Sequence, residues 1–129
     1  MKNNFTVRQE VDIKRVSDLL CSAWEGGSAY WARVEKAIAP KFADYGSKEN
    51  GAPYIHEYAL SRGGSVTLRD IEDDTIIERK LTRAIIARGL QIMASDYPKH
   101  WGDFMSENDD ATTGDVFLQC CIFEKVIYG

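Results

Sequence analysis

The sequence has few of the residues that form metal or covalent-catalysis sites: three cysteines and two histidines among 129 residues. His56 and His100 lie far apart, and neither has a second ligand at the spacing of a zinc motif, so we expect no metal and no cofactor. Adjacent cysteines seldom bridge, and an odd number of them is a poor disulfide framework. We therefore interpret Cys21, Cys120 and Cys121 as small buried hydrophobes.

Long apolar runs and an excess of positive charge are also missing. No window is apolar enough to span a bilayer, and residues 1–5 lack the apolar core of a signal peptide. We therefore expect a cytoplasmic protein that does not bind membranes. Lysine and arginine number 16 against 20 aspartates and glutamates, which gives a net charge of −4. Because nonspecific nucleic-acid binding needs a basic surface, a protein that coats DNA or RNA is disfavoured.

No catalytic motif is present, so we predict no catalytic residue and a protein that is not an enzyme. The sequence lacks the GxSxG elbow of serine hydrolases. A cysteine nucleophile needs a lowered pKa and a nearby base, whereas Cys120 and Cys121 lie in an apolar run. A small enzyme that uses His56 or Cys21 is the alternative.

The composition itself is that of a folded protein, with 44% hydrophobic and 28% charged residues. There is no internal repeat, and no shift in composition marks a boundary. We therefore expect a single domain over residues 1–129. The predicted fold class is α+β, with a small antiparallel sheet and about three helices packed on one face.

Helices are predicted where apolar residues recur at helical spacing after a capping residue. The first begins near Lys14 after Asp12 and ends at Gly26 and Gly27, because glycine allows a left-handed stop. The clearest covers residues 83–97 after Thr82, and a short one follows over residues 99–107. A last helix begins at Thr113.

Strands are predicted where apolar residues alternate. In residues 29–39 the alternation favours a strand, whereas alanine, glutamate and lysine favour a helix; we favour the strand. Residues 41–53 are expected to form an exposed loop, and residues 61–64 a hairpin turn. The tail is expected to be an edge strand, which offers a way for two chains to pair as a homo-oligomer. The other predicted strands are residues 5–13, 54–60, 65–69, 75–81 and 124–128.

The most unusual local pattern is a glycine turn followed by two aromatic residues. Backbone N–H groups in such a turn can hold an anion, and aromatic rings can stack on a base. The alternative is structural, with glycines that end a helix and aromatics that enter the core. Two arginines on the polar face of the helix over residues 83–97 suit phosphate contact. The candidate ligand-binding residues are Gly26, Gly27, Ser28, Tyr30, Trp31, Arg83 and Arg88.

Two acidic clusters are candidates for contact with a protein partner. They contain Asp73 and Asp74 in one segment and Asp109 and Asp110 in another. The second cluster does not have the ligand spacing of a calcium loop. Such clusters are usually solvated turns and helix caps. The functional alternative is an acidic surface that imitates DNA and occupies a nucleic-acid-binding enzyme.

Three segments resemble a group of small phage and prophage accessory proteins. They are residues 17–31 (SDLLCSAWEGGSAYW), residues 87–94 (ARGLQIMA) and residues 107–121 (ENDDATTGDVFLQCC). The resemblance implies a phage origin and stoichiometric binding to a factor of the host cell. An inhibitor of a host defence system, such as an anti-CRISPR protein, is the function it favours, with a host protein or a signalling nucleotide as the partner. A virion or packaging accessory is a further alternative.

Overall fold

A computed structural model describes residues 3–129, so the first two residues of the segment considered for a signal peptide lie outside it. The predicted α+β class and antiparallel sheet are confirmed, and the described residues contain four α-helices rather than about three. In chain order the elements are α1 (Ile13–Ser22), a π-helical turn (Ala23–Gly27), β1 (Ala32–Ile38), a 3-10 helix (Ile55–Leu60), β2 (Ser65–Asp70), β3 (Thr75–Ile76), α2 (Arg83–Asp96), α3 (Pro98–Met105) and α4 (Ala111–Phe123).

The sheet has the order β1-β2-β3, and both pairings are antiparallel. In β2, Val66, Leu68 and Asp70 are buried and alternate with half-buried residues, as the two-residue period of a strand requires. Strand β1 is mostly exposed and pairs with β2 on one side only. Its register shifts between Val34 and Lys36, which is a β-bulge.

The centre of the core is α4, which is buried continuously from Thr113 to Ile122. Helix α2 lies so close to α4 that a Cβ on Gly89 would be 2.2 Å from the Cys121 Sγ atom. Helix α1 contributes Leu19 and Leu20, both fully buried. No helix in residues 3–129 is both long and apolar enough to cross a membrane.

The helix starts follow the predicted caps in two of three cases. Asp12 accepts a hydrogen bond from the Lys14 amide at 2.9 Å, and Thr82 begins α2. In α4 the prediction was wrong, because Asp110 is the cap and Thr113 lies inside the first turn. The two side chains form a reciprocal capping box, with Asp110 accepting from the Thr113 amide at 3.1 Å. This hydrogen bond holds the pKa of Asp110 below its ordinary value.

Three predicted strands are wrong. Residues 5–12 have no regular structure, and helix α1 begins at Ile13. The strand expected over residues 54–60 is replaced by the 3-10 helix Ile55–Leu60, because the Glu57 carboxylate accepts from the Tyr54 amide and winds the chain into a turn. In the tail, residues 124–128, the amides of Ile127 and Tyr128 bond to a side chain of α4 rather than to a strand.

One further strand prediction and the turn prediction are partly right. The strand expected over residues 75–81 shortens to Thr75–Ile76, with Leu81 in an isolated bridge to Val66. The turn at residues 61–64 exists, with Gly63 at a φ of 85°, but it joins the 3-10 helix to β2 and is not a hairpin. The strand preferred for residues 29–39 is confirmed as β1.

Candidate functional site

One buried carboxylate, on the second turn of α4, collects four hydrogen-bond donors. Asp115 is 8% exposed. Its Oδ1 atom accepts from the Ser28 hydroxyl at 2.8 Å and from the Trp31 indole N–H at 2.7 Å. Its Oδ2 atom accepts from the Tyr30 hydroxyl at 2.7 Å and from the Gln119 amide at 3.1 Å. All four donors are neutral, and we call this set of residues the Asp115 network.

The glycine turn brings the donors of this network against α4. A Cβ on Gly27 would lie 2.1 Å from the Ala111 carbonyl oxygen, so no larger residue fits without a shift of backbone. Gly26 has nothing within 4 Å of the same position. Neither glycine has a positive φ, so the predicted left-handed helix stop is wrong. The requirement for glycine comes from close packing at position 27.

Gln119 extends the network to the tail. Its Oε1 atom accepts from the amides of Ile127 at 2.8 Å and Tyr128 at 2.9 Å. The Tyr128 hydroxyl in turn donates to Asp70 of β2 at 2.7 Å. The network therefore ties together the glycine turn, α4, the tail and the sheet.

Both tyrosines of this region are held as hydrogen-bond donors. Burial, followed by the hydrogen bond to Asp115, raises the pKa of Tyr30 to about 12. The hydrogen bond to Asp70, followed by burial, raises the pKa of Tyr128 to about 12. The Ile71 amide donates to the Trp31 carbonyl oxygen at 2.8 Å, which brings the turn that contains Glu72 beside the segment that contains Tyr30.

The structure brings together only part of the predicted ligand-binding set. Ser28, Tyr30 and Trp31 meet, but their side-chain donors are used by Asp115. The Trp31 ring is fully buried and clusters with Phe123 and Tyr128, with centroids at 5.1 and 5.8 Å, so it is not open to a base.

The two predicted arginines make contacts elsewhere. Arg83 donates to the carbonyl oxygen of Leu60. Arg88 forms an ion pair with Glu124 at 3.4 Å. Neither contact includes a residue of the glycine turn.

The predicted partner-binding aspartates have three different environments. Asp73 is exposed in the turn between β2 and β3, and Asp74 pairs with Arg69 at 3.1 Å. Asp109 pairs with Arg15 at 3.0 Å, and Asp110 caps α4. Of the four, Asp73 has the carboxylate that is most available to a partner, because the others are used in ion pairs or in a cap.

An exposed surface combines one aromatic ring with acidic side chains. Tyr30 is 42% exposed although its hydroxyl is bound to Asp115. Glu72 and Asp73 are exposed, and their backbone turn is held by Asp70, which accepts from both amides at 3.0 and 3.2 Å. We call Tyr30, Glu72 and Asp73 the acidic tyrosine surface.

A second buried carboxylate lies in the 3-10 helix. Glu57 is fully buried, and its Oε1 atom accepts from the amides of Ser47 at 3.0 Å and Tyr54 at 2.9 Å. Its Oε2 atom accepts from the Ser17 hydroxyl at 2.7 Å. Burial alone would raise the pKa of Glu57, but these hydrogen bonds outweigh it and hold the pKa below its ordinary value.

The Cys21 thiol of the alternative enzyme does not have the lowered pKa of a nucleophile. Burial, a hydrogen bond with Glu25 and nearby carboxylates raise the pKa of the half-buried Cys21 thiol. Burial lowers the pKa of His56, whose ring stacks on Tyr54 at 5.8 Å. A protonated thiol beside carboxylates is a weak nucleophile. Within residues 3–129, no group of three or more histidine, cysteine, aspartate or glutamate side chains is arranged to hold a metal.

Sequence reasoning missed a cleft between the π-helical turn and β1. Its volume is about 240 Å³, and its lining includes Trp24, Ala29, Ala32, Arg33 and Val34. The Trp24 indole N–H is buried and has no hydrogen-bond partner in the described part of the chain. Leaving such a donor unpaired costs about 1–3 kcal/mol, and π-helical turns are frequent at functional sites. In the sequence, Trp24 shares the apolar stripe of the first helix, and this spacing predicts an ordinary core residue.

A larger and shallower groove, of about 850 Å³, lies between residues 7–11 and α2. Small residues of α2 line it, among them Ala84 and Ala87. The Trp101 indole N–H donates to Gln9 at 3.2 Å and holds the N-terminal segment along it.

Comparisons of the chain with protein-family models, with curated proteins and with solved structures gave no match. The function is therefore argued from geometry and from the resemblance described above.

Proposed function

We propose that this protein is a phage-derived binding protein that inhibits a host defence system by stoichiometric contact with a protein partner. The acidic tyrosine surface is the contact in this proposal. The observation that supports it most is the state of Tyr30, whose ring is 42% exposed while its hydroxyl is held at 2.7 Å by a buried carboxylate. An immobilised aromatic ring loses little entropy on binding, and tyrosine is enriched among residues that dominate interface energetics.

The charge of this surface specifies the kind of partner. Glu72 and Asp73 form no ion pair with the described residues, and the whole chain has a net charge of −4. A partner with a basic face, such as the nucleic-acid groove of a host enzyme, is complementary in charge. Complementary charges speed association and select the correct partner.

Capture of a signalling nucleotide has less support than contact with a protein. Ser28 and Trp31 give their side-chain donors to Asp115, so they do not have them free for a phosphate or a base. Arg88 is paired with Glu124.

The test uses a charge reversal on the proposed surface and a matched reversal away from it. Glu72→Lys with Asp73→Lys changes the net charge as much as Glu10→Lys with Glu49→Lys, and all four residues are exposed. Each variant is expressed in a host with an active defence system, and phage plating efficiency is measured. Native mass spectrometry of the purified protein then reports any retained partner.

We expect the first variant to lose both the protection of the phage and the partner protein, while the control keeps both. Equal behaviour of the two variants would contradict the proposal. A retained mass equal to a nucleotide would favour nucleotide capture. Incorporation into purified virions without any effect on defence would favour the accessory alternative.

A further inference from the structure

The sheet has an open edge at β1. This strand is the outermost of the order β1-β2-β3, and residues Arg33–Lys36 are exposed. In an antiparallel sheet, alternate residues of an outer strand direct their backbone N–H and C=O groups away from the neighbouring strand. Such groups form a ready template for another extended chain.

The Trp24 cleft lies against this edge. Ala32 and Val34 of β1 line it on one side, and Trp24 and Ala29 line it on the other. Its walls are mostly apolar and include the Trp24 ring. An incoming chain would therefore find an apolar recess for a side chain.

The charges of the edge differ in sign from the charge of the whole chain. Arg33 and Lys36 take part in no ion pair with the described residues, whereas Glu35 accepts two hydrogen bonds from Arg69 at 3.0 and 3.2 Å. The edge therefore has unpaired positive charge on a protein whose net charge is −4. An occupant with acidic side chains would complement it.

We propose that the β1 edge and the Trp24 cleft bind an extended acidic peptide segment of a protein partner. The segment adds to the sheet as a strand antiparallel or parallel to β1 and inserts one large apolar side chain into the cleft. In this kind of recognition, main-chain hydrogen bonds supply affinity and the side-chain recess supplies selectivity. The proposal does not depend on the acidic tyrosine surface, which selects a basic partner face.

A second copy of this chain is a poorer occupant. Two β1 strands that pair with each other would bring their unpaired Arg33 and Lys36 side chains to the same edge, where like charges repel. The β1 residues that line the cleft are Ala32, Arg33 and Val34, and none of them has the large apolar side chain that a recess of about 240 Å³ accommodates.

The probe is a library of random peptides displayed on phage and selected against the purified protein. We expect enriched sequences to combine acidic residues with a large apolar residue. Ala29→Phe fills the cleft from an exposed position and should weaken a synthetic selected peptide about tenfold. Ala84→Phe makes the same change at an exposed alanine in the other groove and should leave binding unchanged. Matched thermal unfolding of the two variants excludes a folding defect.

A spectroscopic readout locates the peptide. The indole N–H resonance of Trp24, assigned from the Trp24→Phe variant, should shift on titration because Trp24 lines the cleft, while that of Trp31, which is fully buried and bonded to Asp115, should not. Selected peptides that bind Ala29→Phe as tightly as the parent protein would overturn the proposal. So would a selection without acidic and apolar enrichment, or a free protein that forms a dimer through β1.

Discussion

Asp115 and Glu57 are both buried carboxylates that accept hydrogen bonds from neutral donors. They differ in whether those donors can also act as hydrogen-bond acceptors. Each oxygen of Asp115 faces one donor that cannot become an acceptor, the Trp31 indole on Oδ1 and the Gln119 amide on Oδ2. The Gln119 amide cannot flip, because its oxygen accepts from two tail amides.

Glu57 has such donors on one oxygen only. Its Oε1 atom receives two backbone amides, whereas Oε2 receives the Ser17 hydroxyl, which can accept as well as donate. Asp115 must therefore present two acceptors, and Glu57 needs only one. Both carboxylates are buried and accept several hydrogen bonds, so the two sites are distinguished by which of their donors can also accept.

The largest expected effect is a loss of stability when each carboxylate is replaced by the amide of the same shape. In Asp115→Asn the new NH₂ group faces the Trp31 or the Gln119 donor in either orientation, so we expect a loss of about 3 kcal/mol in the free energy of unfolding. Glu57→Gln can keep its oxygen on the backbone amides and donate to Ser17, with an expected loss of about 1 kcal/mol. Urea denaturation measures both, and equal losses would contradict the argument from donor direction.

The second effect tests the close packing of the glycine turn against α4, which brings the donors to Asp115. Gly27→Ala places a Cβ 2.1 Å from the Ala111 carbonyl oxygen, and backbone must move to relieve it. We expect a loss of about 2 kcal/mol, in the range of overpacked cores.

Gly26→Ala is the matched control, because nothing lies within 4 Å of its Cβ. It should be neutral or slightly stabilising, since alanine restricts the unfolded chain. If both substitutions have the same effect on urea unfolding, the close approach at position 27 is not what requires glycine.

The third effect is a loss of stability at alkaline pH, which we expect from the hydrogen bond between Tyr30 and Asp115. The pKa of Tyr30 is about 12 in the folded chain against an ordinary value of 10.0. A group whose pKa is raised by folding contributes stability that is present below pH 10 and is lost as the pH rises towards 12. Thermal unfolding between these values should therefore show a falling midpoint, with a shallower fall in Tyr30→Phe. An unchanged slope in that variant would argue against the Tyr30–Asp115 hydrogen bond.

The smallest effect is a loss of stability at acidic pH, which we expect from Glu57 and its neighbour His56. Burial lowers the pKa of His56 from 6.5, so stability is lost as the pH falls below that value. The pKa of Glu57 is also lowered, so its contribution is present above 4.5 and is lost as the pH falls through its folded value. Glu57→Gln should reduce the lower part of this decline and slightly enlarge the upper part, because the charge of Glu57 raises the pKa of His56. His56→Gln should instead reduce the upper part, and a failure to separate the two parts would contradict the assignment.

Local signals were sufficient for much of the fold. Helix α2 has Thr82 before it and Pro98 shortly after it, and β2 has one buried face, so both follow from spacing and caps. The 3-10 helix did not, because its turn depends on Glu57 accepting amides from two segments and a hydroxyl from α1. A tertiary contact of this kind leaves no local pattern in the chain.

The candidate sites divide in the same way. The glycine–aromatic segment was singled out correctly as unusual, but its partner Asp115 lies in another helix, so an internal carboxylate could not be distinguished from an external anion. The tail, residues 124–128, was expected to be an edge strand. Its amides are instead used by Gln119, a residue that sequence spacing did not mark.

The three cysteines can report local unfolding of the chain, because they differ in burial. Cys120 and Cys121 are fully buried in α4, and burial raises the pKa of the Cys120 thiol to about 12, so both are protected while α4 is packed. Cys21 is only half-buried. Mass spectrometry after timed alkylation would therefore count molecules in three populations: unlabelled, labelled at Cys21, and labelled at α4. The rate of the last step measures how often the central helix is released, without any added probe.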